Sequence, residues 1–204
     1  MQRPLPPEIL IDEYEGEDFF IPSPDLDLWV RKTFLDSTSP LYNPEHEHLN
    51  KAHLGFLWTN VPNTRKMRSV AGEAEMPFFK GGAWQKHRQM MQLCEWFGGL
   101  PDFLITLDAQ YAIKATNDDF CALVEHELYH CAQAVDEHGN AKFNKENGLP
   151  KFAMREHDVT EFVGVVERYG INAVANGREF VEAASREPKI SAAAVAAACG
   201  LCAR

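Results

Sequence analysis

Positive charge is scarce in this 204-residue chain: 20 Lys and Arg stand against 30 Asp and Glu, a formal net charge of −10. A surface of that sign repels phosphate backbones and anionic headgroups, so neither nucleic acid nor a membrane surface is expected as a partner. Long apolar runs are absent too. The longest, near residues 189–203, is alanine-rich and falls short of the roughly 20 residues a spanning helix needs. The opening Met-Gln-Arg-Pro-Leu-Pro-Pro-Glu has no apolar core and no small-residue cleavage site, which points to a cytoplasmic protein. Cysteine is too sparse for a disulfide framework. Cys94, Cys121, Cys131, Cys199 and Cys202 are odd in number and scattered, as expected of reduced thiols. No glycine-rich phosphate loop, no G-x-S-x-G elbow and no internal repeat occurs.

What is present is an ordinary globular composition, with 45% hydrophobic and 25% charged residues, enough to bury a core unaided. Residues 1–24 carry Pro4, Pro6, Pro7, Pro22 and Pro24 among acidic residues, and read as an extended arm. Periodicity predicts a helix over 25–34, strands over 53–60 and 66–76, a helix over 84–97 closed by Gly98-Gly99, and a strand over 102–107. A long helix follows over 116–136, begun by Thr116 and Asp119, then a loop over 137–152 and a helix over 157–169 ended by Gly170. Helices near 176–186 and 189–199 make 171–204 a helical extension of a domain spanning 25–170. Strands early and helices late suit an α+β fold.

The chemistry concentrates in His126-Glu127-Leu128-Tyr129-His130. On a helix, residues i and i+4 lie one above the other, so two imidazoles at that spacing bind one metal ion together. Zinc lowers the pKa of a water it holds to about 7, and Glu127, one residue round the helix, is placed to take that water's proton during attack on a carbonyl. A stripe of Phe120, Val124, Leu128, Cys131 and Val135 anchors the helix in a core. Catalytic zinc needs a third protein ligand. The metzincin extension does not supply it, because Gln133 and Asp136 stand where glycine and histidine are required. The next source is Arg155-Glu156-His157-Asp158-Val159-Thr160-Glu161-Phe162. His157 is favoured there and Glu161 is the alternative, with Asp158 and Glu161 as supporting carboxylates. Glu45-His46-Glu47-His48 reads as a solvated run, and Cys199-Gly-Leu-Cys202 as two helix-end cysteines without a second metal-binding pair. Tyr111, Arg155 and Tyr169 are oxyanion donors by residue type alone.

His126-Glu-Leu-Tyr-His130 followed 27 residues later by His157-Asp-Val-Thr-Glu-Phe162 resembles the phage metallopeptidase family, which is similar in layout to SprT-like and WLM-type zinc peptidases. The resemblance extends upstream through Leu54-Gly-Phe-Leu-Trp58, Gly72-Glu-Ala-Glu and Asp102-Phe-Leu-Ile. It covers roughly residues 50–170 and implies a zincin-like fold for the 25–170 domain, with a small, mostly antiparallel sheet packed on the motif helix. It also implies Zn2+ on His126, His130 and His157, Glu127 as general base, a protein or peptide substrate, and action in a bacterial host's cytoplasm. An exposed strand, 53–60 or 66–76, would pair with extended substrate by β-addition. Two other readings stand beside this one: a binding or structural protein whose zinc only staples the fold, and a zinc hydrolase of a non-peptide amide. Oligomeric state is not legible.

Overall fold

A run of six buried residues, Leu54–Thr59, forms the strand about which the molecule is built. A strand covered on both faces reads as continuously apolar rather than alternating, which is why this segment stands out in the sequence. The computed structural model describes residues 2–11, 17–65, 67–160, 163–190, 193 and 198–199. The chain divides into two compact units, Met1–Arg155 with Ala193–Arg204, and Glu156–Ala192.

In the first unit, β1 (Phe20–Pro22), β2 (Leu54–Thr59), β3 (Thr64–Arg65), β4 (Arg68–Glu75) and β5 (Phe103–Asp108) form a sheet in the order β1-β2-β5-β4-β3. The sheet is mixed. β2 runs parallel to β5, with Leu54 opposite Phe103 and Thr59 opposite Asp108, whereas β1–β2, β4–β5 and β3–β4 are antiparallel. The short strand Ala198–Cys199 pairs in parallel with β4 at Val70 and Gly72. Because β2 lies between β1 and β5, the 53–60 segment offers no edge for β-addition. On β4, the side away from β5 carries β3 and the 198–199 strand.

Helix α1 (Pro24–Val30) starts on Ser23, whose hydroxyl accepts from the Leu26 N–H, and runs on as a π-helical turn over Arg31–Leu35. Helix α2 (Ala83–Phe97) has no fully buried residue and ends at Gly98 with φ 72°, a left-handed terminus that suits glycine. A short helix α3 (Ala109–Lys114), which the sequence pattern does not announce, follows β5 directly. Helix α4 (Asn117–His130) packs beneath the sheet, burying Phe120, Leu123, Val124 and Leu128 against an aromatic cluster. In that cluster Trp58 stacks on Phe120 at 5.9 Å, and Trp29 meets Phe34 edge-on at 5.6 Å. The amino-terminal arm is tied to this body. Arg3 donates to the carbonyls of Ala112 and Ala115 and to Asn117, and Leu10 is fully buried.

Helix α4 stops at His130, not near 136 as the pattern predicts. Cys131–Gln133 instead forms β6, paired antiparallel with β7 (Phe152–Met154). The segment Ala132-Gln-Ala-Val has no helix breaker, so tertiary pairing overrides local propensity here. Val135, assigned to the buried stripe, is 54% exposed as a result.

In the second unit, α5 (Val163–Tyr169) ends at Gly170, and α6 (Gly177–Ala184) matches the helix expected near 176–186. Residues 155–160 are not helical, so His157 precedes the helix rather than starting it. Glu161, Phe162 and most of the 189–199 stretch lie outside the described residues, as does Cys202. The 198–199 pair is strand, not helix.

Candidate metal centre

Helix α4 owes its position to its first and last turns. At the start, the Thr116 hydroxyl accepts from the Asp119 N–H at 3.1 Å and donates to the Asp119 carboxylate at 2.7 Å, which caps free backbone donors. At the end, the helix delivers His126 and His130 to one side, their rings 5.0 Å apart and nearly perpendicular. The β6–β7 pairing then brings the chain back. The Arg155 N–H donates to the His130 carbonyl at 2.9 Å, and the Arg155 carbonyl lies 2.7 Å from His130 Nδ1. A carbonyl only accepts, so Nδ1 carries the proton and Nε2 of His130 is the nitrogen left for a metal.

Two residues on is His157. The ligand-capable atoms of His126, His130 and His157 all lie within 4.8 Å of one another. Among the described residues this is the group of three or more His, Cys, Asp or Glu side chains with metal-binding geometry. Three imidazoles, one already held by a carbonyl on its far nitrogen, are a donor set that fits a divalent transition metal. Glu161, the alternative ligand, lies outside the described residues. Asp158 is exposed, and its backbone carbonyl accepts from Asn176.

Glu127 is fully buried, on the core-facing side of α4. Its Oε2 accepts from the Ala74 N–H of β4 at 2.9 Å, and its Oε1 lies over Gly72. Cys131 is also buried. Its thiol donates to the Glu127 carbonyl at 3.4 Å, and burial, then the charge of Glu127, push its pKa well above the usual thiol range. It is an inert packing residue, as its sequence context suggests.

A polar layer backs the motif that sequence alone does not reveal. His46, expected to be solvated, is 1% exposed, with its ring 4.6 Å edge-on to Tyr129 and Nε2 3.8 Å from Glu125. Asn43 donates to both Glu125 and the Tyr129 hydroxyl, at 2.8 and 2.9 Å. His48 Nε2 lies 2.7 Å from the Cys131 carbonyl at the point where the helix ends. Burial, then the charges of His48 and Arg155, hold the His46 pKa down to about 4. The charge-rich surroundings of His46 hid it: a run of four polar residues carries no apolar period. Of the oxyanion donors considered by type, Arg155 sits over the Tyr129 ring at 5.8 Å.

No helix among the described residues is long and apolar enough to cross a membrane. Residues 27–185 match the family model described as "Putative phage metallopeptidase". No curated protein and no solved structure matches the chain.

Proposed function

The chain belongs to the phage metallopeptidase family, and from that membership we propose that it is a zinc-dependent peptidase with a zincin-like domain over residues 25–170. The observation that carries the reading is the convergence of His157 with His126 and His130 of the H-E-x-x-H helix, their ligand-capable atoms all within 4.8 Å of one another. Three nitrogen ligands suit zinc and leave a coordination position open for chemistry. Zinc bound there supplies Lewis acidity, polarising the scissile carbonyl and acidifying the attacking water. The chain's own work is positional. His130 is fixed by Arg155, and His126 is carried one turn before it on the same face. The Glu127 carboxylate, adjacent in sequence to His126 and steadied through Oε2, takes the water's proton and returns it to the leaving amine. The peptide nature of the substrate rests on the family. Residues 1–24 and 171–204 are then an arm and an extension of this domain, and the phage family supports action in the host cytoplasm.

The complete burial of Glu127 favours one competing reading, a metal that only holds the fold. Zinc content of the purified protein and turnover of labelled casein separate the two. We expect about one zinc per chain, lost in His130→Ala and His157→Ala. We expect Glu127→Gln to keep the zinc and lose turnover. Zinc without turnover in the wild type, or turnover that Glu127→Gln leaves unchanged, would favour the structural metal, and an absence of zinc uptake in the wild type would remove both readings.

A further inference from the structure

Strand β4 contains a glycine in its interior, where glycine costs chain entropy, supplies no side chain to pack and so marks a bulge or a close approach; the pairing with the 198–199 strand shifts register between Val70 and Gly72. Gly72 and Ala74 are two apart, so they face the same way, toward α4. A Cβ built on Gly72 would stand 3.0 Å from Oε1 and 3.2 Å from Cγ of Glu127, with Leu107 Cδ2 at 3.2 Å on the other side. The bare Cα is thus the floor on which the Glu127 side chain lies. The same carboxylate accepts the Ala74 N–H through Oε2. Glu127 is fully buried, so a displaced carboxylate has no solvent to swing into. Gly55 in β2 is crowded to a similar degree, but its nearest neighbours are the Leu104 and Phe97 side chains, which makes it a packing glycine. What sets Gly72 apart is that its nearest neighbour is the carboxylate oxygen.

We infer that Gly72, together with the Ala74 amide, is a positioning element for the general base: the missing side chain and the strand N–H jointly fix where the Glu127 carboxylate stands. This rests on the catalytic reading of Glu127 given above. A Cβ at Gly72 asks the Glu127 side chain to give by a few tenths of an ångström; since a misplacement of about 1 Å in a reacting group costs on the order of 10²-fold in rate, a several-fold loss is expected from that shift.

The test compares zinc-loaded wild type with Gly72→Ala, Gly55→Ala and Glu127→Gln. Three quantities are measured: zinc per chain, the Ala74 amide proton resonance and its exchange rate by NMR, and kcat and KM on labelled casein. For Gly72→Ala we expect zinc to be retained, the Ala74 amide to move upfield and exchange faster, and kcat to fall by about fivefold with KM within about twofold. Gly55→Ala should lower the melting temperature while leaving the Ala74 resonance and kcat in place. Should Gly72→Ala not fold, Gly72→Ala/Leu107→Ala relieves the apolar side of the added methyl and keeps the crowding on Glu127. An unmoved Ala74 amide with wild-type kcat in the Gly72 variant, while Glu127→Gln is inactive, overturns this inference alone. So does an equal kcat loss in Gly55→Ala. Equal turnover in wild type and Glu127→Gln overturns the catalytic reading, and this inference with it.

Discussion

His130 and His46 show how far one environment separates two histidines of the same motif region. His130 donates its Nδ1–H to the Arg155 carbonyl, which leaves Nε2 as the nitrogen available to a metal. His46 is enclosed, with Glu125, Tyr129, His48 and Arg155 as its polar surroundings, and burial holds it neutral down to about pH 4. In the unfolded chain the same group protonates near 6.5. The unfolded state therefore binds the extra proton first as pH falls. The stability tied to neutral His46 is complete above about 6.5 and is lost between there and about 4, up to roughly 3 kcal/mol. His46→Leu should flatten the fall in urea-unfolding free energy across that window. A wild-type slope in the variant would assign the loss to other groups.

Among the elements, α4 and the β6–β7 pair divide the work of assembling the site. Thr116→Ala removes the α4 cap and should cost about 1 kcal/mol by chemical denaturation while leaving zinc stoichiometry unchanged, since the cap lies at the far end of the helix from the ligands. The hairpin has the opposite profile. Ala153 pairs with Ala132, and β7 leads straight to the Arg155 clamp on His130 and then to His157. Ala153→Pro interrupts that pairing, and should weaken zinc binding by about tenfold or more in a competition titration. Retained affinity would mean that His157 is placed by something other than the hairpin.

For the molecule as a whole, a metal that binds the folded chain and not the unfolded one adds its binding free energy to stability. With free zinc at about 100 times its dissociation constant, the gain is roughly 2.7 kcal/mol. Chelation should therefore lower the melting temperature of the wild type and leave that of a His126→Ala variant unmoved. A melting curve indifferent to chelator in both would argue that the three imidazoles hold no metal in solution. Much of this architecture was legible beforehand. Leu54–Thr59 and Phe103–Asp108 announce themselves as buried strands, and Phe120, Val124 and Leu128 as the core face of one helix. The end of α4, the helix α3 and the burial of His46 were not legible, because each depends on what the chain meets in space rather than on its local period.

The sequence by itself determined that His126 and His130 share a helical face with Glu127 beside them, since i and i+4 spacing is a property of the helix and needs no partner. It also narrowed the candidates for a third ligand to His157 and Glu161. Tertiary structure decided the rest. Strand pairing between Cys131–Gln133 and Phe152–Met154 turns the chain back onto His130, and that return brings His157 within reach of the other two imidazoles. The surroundings of Glu127 are tertiary as well: a bare Gly72 and the Ala74 N–H that donates to its carboxylate lie on a strand more than fifty residues away in sequence. Local pattern encodes period and burial, but contacts between distant segments are fixed by the pairing of strands, and no window along the chain contains that information.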